Sequence, residues 1–374
     1  MSTFITRFET SGDGPRVAVK DIIDMAGVVT TAGSRVVERN ARPADADAAC
    51  LAGARAAGAR IVGKTSLHEL AMLPLGTNPW FGTPVNPLDP ALIPGGSSSG
   101  AAVAVANDEA DVAYGSDTGG SVRIPSACCG VAGLKTTHGR ISLDGVWPLA
   151  PSLDTIGPLA RDVDGLVLGM QLLEPGFAVA TPPARRIGRM RTSGDPRVEA
   201  AVDRALQAAG LDVVPVDLAL EDGAGPFMAA YMTEMWALDH ALFDKHPDLL
   251  APDIALMLSM APAFIVDDDE VQRLLGEWRE TVARVFDQVD LLALPTLPML
   301  PPRLDAIGED PTDLIIALTA HVSAFNAAGV PATAQPVPIE ASDLPASLQL
   351  VGPLGGEERL LATAAIIESA VKTQ

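Results

Sequence analysis

Aromatic residues, cysteines and basic residues are scarce in this sequence, and each shortage narrows the kind of protein that it encodes. Aromatic side chains make up only 4% of the 374 residues, whereas hydrophobic residues reach 48%, so Ala, Val and Leu must build the core. The 26 Lys and Arg residues are outnumbered by 47 Asp and Glu, which gives a formal net charge of -21. Because like charges repel, nucleic acid and anionic membranes are poor partners for such a chain.

Cysteine pairs and long apolar runs are missing as well. The three cysteines form neither a CxxC pattern nor a convincing disulfide set, which indicates a reducing compartment. The start, MSTFITRFET, lacks the basic-then-apolar order of a signal peptide. The best candidate for a membrane span, residues 314–330, contains polar residues and predicts one buried helix instead. We therefore expect a cytoplasmic protein without a membrane segment.

Strand and helix patterns alternate along the whole chain. A strand, a helix and a second strand over residues 185–218 form one unit that implies parallel pairing. The alternation predicts an α/β fold with a mainly parallel or mixed sheet, and the lack of repeats or linkers favours one domain. The predicted strands lie at 16–23, 185–190, 211–218 and 289–298, and two further stretches, 60–70 and 112–125, are expected to begin as a strand and continue into a turn. The predicted helices lie at 46–59, 101–107, 195–210, 270–288 and 356–372.

Lys20 interrupts an apolar strand pattern in the stretch AVKDI. A lysine there must reach solvent or be buried with a partner. Burial lowers a lysine's pKa, and a neutral amine is a usable base at physiological pH. The alternative is a structural lysine at a strand edge that pairs with Asp21 or Asp24, which is the commoner outcome for a lysine taken alone.

The stretch IPGGSSSGAAVAVA, residues 93–106, places three serines between glycines and then becomes continuously apolar. A flexible linker would separate two hydrophobic units, whereas 101–106 must be buried as soon as the loop ends. Glycines allow backbone conformations that aim the serine hydroxyls at a fixed target. A phosphate-binding loop would need a lysine after its last glycine, and that lysine is missing.

The stretch GSDTGGSVRIP, residues 115–125, contains a further serine in a glycine-rich setting. Thr118, Gly119, Gly120 and Ser121 would present successive N–H groups around one hydroxyl. An oxyanion hole needs this arrangement, with donors fixed where negative charge will develop. The alternative is an ordinary glycine-rich turn between a strand and a helix.

Together these segments resemble the amidase signature family of serine amide hydrolases. The resemblance is carried by GGSSSGAAVAVA, by GSDTGGSVRIPSACCGVAGLKTTHGRIS and by the 24 positions that separate Ser97 from Ser121. It extends to the lysine segment VAVKDIIDMAGVVTTAGS and to the C-terminal segments NAAGVPATAQPV and LPASLQLVGPLGGEERLL.

The resemblance covers residues 15–170 and 285–374, which would form the catalytic core. The mostly helical region of about 180–285 aligns with nothing specific and would lie on the substrate side. The implied fold is a single α/β amidase signature domain over residues 1–374. Its central twisted sheet would be mixed but mostly parallel, with helices covering both faces.

The family's mechanism assigns a role to each polar segment. Ser121 would be the nucleophile, Ser97 the proton relay after a cis peptide bond to Gly96, and Lys20 the terminal base. Neutral Lys20 would draw a proton from Ser97 while Ser97 takes one from Ser121, which attacks the amide carbonyl. The N–H groups of the Ser121 turn would hold the oxyanion, and water would then hydrolyse the acyl-enzyme. No metal or organic cofactor is needed.

The resemblance also implies supporting residues around this relay. Ser98 and Ser99 are expected to hydrogen-bond within their loop. Asp117 and Arg123 flank the nucleophile and are expected to brace its turn as an ion pair. Met72, in ELAMLPLG, resembles the family segment that lines the acyl site.

Two residue sets compete for catalytic roles. Lys64 is the rival base, but it lies in a segment that the family uses structurally. Cys129, with His138 as its base, would be a rival nucleophile, but it falls at an apolar position of the family pattern, so a packed and inert thiol is expected. The histidines show no metal-binding spacing.

The leading interpretation is an amidase that hydrolyses a small-molecule carboxamide to a carboxylate and ammonia or an amine. The alternatives are a non-catalytic scaffold that keeps the fold and a glutaminase-type amidotransferase subunit. Because the chain begins close to its lysine segment, it looks most like short, soluble members that act on aryl-acetamides such as indole-3-acetamide. Small aliphatic amides and ureido compounds remain open as substrates, and a homodimer is common in the family.

Overall fold

One continuous sheet runs through the computed structural model, which describes residues 2–373. Within that range the sheet has 11 strands. In chain order they are β1 (Phe4–Arg7), β2 (Arg16–Lys20), β3 (Arg60–Thr65), β4 (Val112–Ser116), β5 (Ala132–Lys135), β6 (Ile156–Ala160), β7 (Arg186–Arg189), β8 (Asp212–Pro215), β9 (Leu291–Pro295), β10 (Ala332–Val337) and β11 (Ala346–Val351).

The helices begin where the sequence supplies caps. Asp162, Asp195 and Asp267 each accept a hydrogen bond from a backbone N–H in the first turn of the helix that follows. No helix within residues 2–373 is long and apolar enough to cross a membrane. In chain order the α-helices are α1 (Arg35–Glu38), α2 (Ala52–Ala56), α3 (Ser99–Ala106), α4 (Arg123–Cys129), α5 (Val163–Leu173), α6 (Pro196–Ala208), α7 (Glu221–Lys245), α8 (Pro252–Met260), α9 (Asp268–Val285), α10 (Thr312–Thr319), α11 (Ser323–Ala327) and α12 (Glu357–Lys372).

The strand order is β1-β3-β2-β4-β6-β5-β10-β11-β9-β7-β8. The expected mixed sheet is confirmed, but the expectation that it is mostly parallel is wrong. Parallel pairing is confined to β3-β2-β4 and β9-β7-β8 in the described chain, and the other neighbours are antiparallel. The reason lies in the connections: β6 inserts between β4 and β5 and runs opposite to both, while β10 and β11 form a hairpin.

Side-chain alternation along the strands assigns each residue to one face of the sheet. Val17 and Val19 of β2 belong to the larger hydrophobic cluster, whereas Ala18 between them packs with the apolar residues of α3. Helices α3 and α4 pack on the face of the sheet that carries the small alanines. Helices α5, α6 and α12 contact strands on the other face. The expected cover of helices on both faces is therefore confirmed.

The predicted single helix over 314–330 is wrong. The chain instead forms α10 and α11 with a break at His321, and Ile316 is 60% exposed. Backbone carbonyls at the break accept hydrogen bonds from side chains of distant segments: the His321 carbonyl accepts from Gln349 and the Val322 carbonyl accepts from Arg123. These tertiary hydrogen bonds hold carbonyls that a continuous helix would have used internally.

Candidate active site

The carboxyl ends of β2 and β4 lie side by side because these two strands pair in parallel. Lys20 is the last residue of β2, and Ser116 is the last residue of β4. In sheets of this type, ligand sites collect at the carboxyl ends of parallel strands. The strand pairing therefore brings the lysine to the entrance of the glycine-rich turn that follows β4.

The Lys20 side chain is completely buried and points at two serines. Its Nζ lies 2.7 Å from Ser97 Oγ and 2.8 Å from Ser116 Oγ. Burial lowers the pKa of Lys20 from 10.5 to about 7, although the carboxylates of Asp154 and Asp117 oppose this shift. A neutral amine in this position can accept the proton of the Ser97 hydroxyl.

Lys64, and not Lys20, forms the structural ion pair with Asp21 that the sequence analysis considered for Lys20. Its Nζ lies 2.8 Å from the Asp21 carboxylate and also donates to Thr30 Oγ1 and the Val29 carbonyl. Pairing of Lys20 with Asp21 is thus wrong. The ion pair and hydrogen bonds of Lys64 leave Lys20 as the lysine that contacts the serine loop.

The loop before α3 contains a cis peptide bond between Gly96 and Ser97, as the resemblance implies. Glycine is required at position 96, because a Cβ there would lie 2.7 Å from the Gly76 nitrogen. Ser98 Oγ donates to the Ser116 carbonyl at 3.2 Å. The buried Ser99 hydroxyl, which was expected to bond within the loop, has no hydrogen-bond partner among residues 2–373.

Ser121 lies in the turn after β4, against the serine loop. The Ser98 N–H donates to the Ser121 carbonyl at 3.2 Å, which joins the two segments. Within the described residues, the side chains of Ser97 and Ser121 make no direct hydrogen bond to each other. The structure thus brings Lys20 to Ser97 and places the Ser121 segment beside them. Ser121 is 7% exposed and lines a cavity, which is described below.

The Asp117 carboxylate fixes the conformation of the turn around Ser121 by accepting hydrogen bonds from backbone N–H groups of the turn. Oδ1 accepts from Gly120 N at 2.8 Å, and Oδ2 accepts from Val122 N at 3.1 Å. Gly120 has φ +118°, a conformation that favours glycine. The Gly120 N–H therefore donates to Asp117 in this structure and helps to fix the turn, and the role of Gly120 as an oxyanion donor stays a prediction.

The other N–H groups of the turn remain available. Those of Thr118, Gly119 and Ser121 donate to no acceptor within the described part of the chain. These three residues line the same cavity, so their N–H groups are free to donate to a ligand bound in it.

Arg123 connects this turn to the C-terminal half of the chain. Its guanidinium bonds both oxygens of Asp117, Gln349 Oε1 at 2.7 Å and Asn326 Oδ1 at 2.6 Å. The fifth donor of the side chain reaches the Val322 carbonyl. Burial opposes ionisation of Asp117, yet the Arg123 guanidinium holds the pKa of that carboxyl well below its usual range. The sequence pointed to the ion pair but carried no signal for Asn326 or Gln349.

Asp154 is a second buried carboxyl that the sequence did not single out. It accepts from Thr118 Oγ1 at 2.6 Å and from the backbone of Leu149 and Ala150. Burial raises its pKa, and these hydrogen bonds oppose that shift. Asp154 therefore fixes the side chain of Thr118 at the start of the turn.

The rival nucleophile Cys129 is placed for packing. Its Sγ is buried and donates to the Pro94 carbonyl at 3.3 Å. Burial raises the pKa of the thiol well above its ordinary value. A thiol that stays protonated is a poor nucleophile.

A cavity of about 980 Å³ opens at Ser121. Met72 lines it, as the resemblance implies, together with residues of α7, α8 and α10. The rings of Phe227 and Tyr231 stack with centroids 5.4 Å apart, and Tyr231 donates to the Met72 carbonyl at 2.6 Å. Phe227 also covers Gly119, where a Cβ would lie 2.7 Å from the ring. These aromatic rings form the wall beside the Ser121 turn.

Glu69 ties this region to the start of α8. The fully buried carboxylate accepts from Ser34 Oγ at 2.5 Å, Trp80 Nε1 at 3.0 Å and Ala251 N at 2.7 Å. The neighbouring His68 N–H donates to the carbonyl of Ser97. One short segment thus contacts both the serine loop and the helix that lines the cavity.

Replacing Glu69 with glutamine should lower the free energy of unfolding by about 1–3 kcal/mol, because an amide cannot accept from all three donors. Since α8 lines the cavity, KM should rise more than kcat falls. Denaturant unfolding and steady-state kinetics measure the two effects. Glu277→Gln, on the exposed face of α9, is the matched control and should change neither. Identical behaviour of the two variants would contradict the role of Glu69.

The chain belongs to the amidase family: the family model described as Amidase matches residues 14–361. This match confirms the resemblance drawn from the sequence, and it makes the protein an amidase-family enzyme.

Individual relatives cover nearly the whole chain. A glutamyl-tRNA(Gln) amidotransferase subunit of Halobacterium salinarum is 33% identical over 98% of this chain and 99% of that protein. A crystal structure of an amidase is 29% identical, with a TM-score of 0.84 over 96% of this chain and 84% of that one. A structure from work on the origins of an s-triazine catabolic enzyme is 28% identical, with a TM-score of 0.86 over 96% and 85%. Proteins similar to this one therefore include an amidase and an amidotransferase subunit.

Proposed function

We propose that the protein hydrolyses small-molecule carboxamides through an acyl-enzyme on Ser121, with Ser97 as relay and Lys20 as base. The observation that carries this proposal is the buried Lys20 amine, 2.7 Å from the Ser97 hydroxyl beside the Ser121 turn. A base within hydrogen-bond distance of a hydroxyl is the first requirement for proton transfer.

The first half of the reaction forms the acyl-enzyme. Lys20 takes the proton of Ser97, Ser97 takes the proton of Ser121, and Ser121 Oγ bonds to the amide carbon. The free N–H groups of Gly119 and Ser121 donate to the resulting oxyanion. When the C–N bond breaks, Ser97 returns a proton to the leaving nitrogen and is reprotonated by Lys20, so ammonia or an amine departs.

The second half releases the acid. Water loses a proton to Ser97 and Lys20 and attacks the acyl carbon, and the ester bond to Ser121 breaks as the proton returns to its oxygen. The relay needs the Ser121 hydroxyl to come within hydrogen-bond distance of Ser97, and we propose that a change of the Ser121 side-chain rotamer brings this about while Ser97 keeps its contact with Lys20. Each cycle therefore consumes one water and restores the starting protonation state.

A second candidate is a glutaminase-type subunit that supplies ammonia to a partner. Its support is the 33% identity to the amidotransferase subunit named above. Glutamine carries both an ammonium and a carboxylate, which need charged partners in the site. Arg191 and Glu221 are the charged side chains among the described cavity residues, and Arg191 already pairs with Asp203 at 2.6 Å. The shortage of free charge favours uncharged amides over glutamine.

A screen that measures ammonia release from primary amides, ureido acids and glutamine, and aniline release from anilides, tests this proposal. We expect release from uncharged amides by the purified chain alone, and none from the Ser121→Ala variant. Ammonia release from glutamine that depends on an added partner protein would instead support the amidotransferase role.

The pH dependence of activity should follow the protonation of Lys20. Because burial lowers its pKa to about 7, Lys20 is charged below that pH and cannot accept a proton. We expect kcat/KM for an uncharged amide to rise about tenfold per pH unit in the acidic range and to level off above neutrality. Kinetics in overlapping buffers measure the profile, and a flat profile through the same interval would contradict Lys20 as the base.

A further inference from the structure

The methionines of the chain are concentrated around one cavity. Of 11 methionines in the sequence, seven are described residues that line the space in front of Ser121. These are Met72, Met190, Met228, Met232, Met257, Met260 and Met299. Methionine is flexible and polarisable, so walls rich in it adapt to apolar groups of different shapes. Such walls are suited to a bulky apolar ligand.

The polar side chains of the same walls are mostly occupied. Thr118 Oγ1 donates to Asp154, and Tyr231 donates to the Met72 carbonyl. Thr192 and Thr319 likewise donate to protein oxygens, at 2.6 Å and 2.9 Å. A ligand would therefore meet methyl, thioether and ring surfaces here rather than free hydrogen-bonding groups.

The charges around the cavity disfavour an acidic ligand. Glu221 is exposed at the start of α7, and the positive charge of Arg191 is shared with Asp203 and Glu199. The whole chain carries a net charge of -21. A substrate whose acyl group ends in a carboxylate would be repelled and would find no unpaired cation among the described residues of the cavity.

The apolar lining continues to the protein surface. Met260, Phe264 and Ile316 line the cavity and are also 36%, 41% and 60% exposed. They belong to α8, the segment after it, and α10. The apolar path from Ser121 thus leads out to solvent, so an acyl chain longer than the cavity can extend along it.

We propose that the acyl group of the substrate is a long-chain aliphatic or arylalkyl group without charge, which fills the methionine-lined cavity. This inference rests on the proposed hydrolysis at Ser121. A volume of about 980 Å³ is at the upper end of the range for sites that hold drug-sized ligands. An acetyl group would leave most of this apolar surface in contact with water, whereas a long chain would bury it. The binding free energy gained along the chain then lowers the barrier for longer substrates.

A chain-length series tests the proposal. The substrates are acetamide, butanamide, hexanamide and octanamide, together with the monoamide of a dicarboxylic acid as long as octanamide, and ammonia release is measured. Each buried methylene should raise kcat/KM by about fourfold until the cavity is filled. The monoamide with the terminal carboxylate should be a poor substrate despite its length.

The series also separates this inference from the function on which it rests. Hydrolysis of acetamide that requires Ser121, with no gain or a loss for longer chains, would overturn the apolar acyl group and leave the amidase intact. Failure of every amide, short or long, would contradict the proposed hydrolysis itself.

A charge placed in the wall provides the second test. Met228→Lys, on α7, should lower the kcat/KM ratio of octanamide to acetamide at least about tenfold, since an ammonium and its water displace the apolar chain. The same variant should improve the carboxylate-ended monoamide. Leu238→Lys is the control, because Leu238 is on the same helix, is 41% exposed and does not line the cavity. An unchanged ratio in a folded Met228→Lys variant would overturn the proposal.

Discussion

Replacing Lys20 with methionine should reduce amide hydrolysis by about 10³- to 10⁴-fold, the range expected when a general base is lost from a coupled relay. Methionine keeps an unbranched side chain in the buried strand and removes only the amine. Without the amine, the Ser97 hydroxyl has no group to take its proton, so Ser121 cannot be activated. Steady-state ammonia release on an uncharged amide measures the loss.

Lys135 provides a matched control for this substitution. It is also fully buried, and burial together with the Arg123 charge lowers its pKa to about 7. Its Nζ donates to the carbonyls of Thr136 and Val330 and, within residues 2–373, makes no hydrogen bond to a serine. A Lys135→Met variant that folds should keep most of the activity. Equal losses in the two variants would show that removal of any buried amine is harmful and would contradict the assignment of Lys20.

Replacing Asp117 with asparagine should lower the free energy of unfolding by about 3–5 kcal/mol, because it leaves the fully buried Arg123 without a counter-charge. The turn that presents Ser121 should loosen as well, since Asp117 accepts the N–H groups of Gly120 and Val122. We expect activity to fall even at temperatures where the variant remains folded. Denaturant unfolding and ammonia release on the same preparation measure both effects.

The ion pair between Arg303 and Asp305 gives the comparison for Asp117. Both side chains are more than half exposed, so solvent screens their attraction. Asp305→Asn should therefore leave the melting temperature and the activity unchanged. If Asp117→Asn behaved in the same way, the Ser121 turn would not be a structure held by a buried ion pair.

The sequence was informative where chemistry depends on residues close together in the chain. The Gly/Ser loop, the turn around Ser121 and the lysine within an apolar strand each carried a local pattern. The spacing of these segments and their resemblance to a family then assigned all three to one catalytic site. The same local patterns predicted strands such as β7 and helices such as α9 within a few residues.

Contacts between distant segments could not be predicted in this way. Asn326 and Gln349 reach the Ser121 turn from more than 200 positions away, and nothing in their neighbours signals an Arg123 contact. The commitment of the Gly120 N–H to Asp117 depends on one turn conformation and is invisible in the letters GSDTGGS. The strand directions around β6 were missed because pairing partners are set by the whole sheet.

Labelling with a fluorophosphonate, followed by mass spectrometry of the intact chain and its peptides, tests the proposed relay most directly. We expect one adduct per chain, located on Ser121, absent in Ser121→Ala and formed far more slowly in Lys20→Met. An adduct on another residue, or equally fast labelling without the Lys20 amine, would contradict the relay.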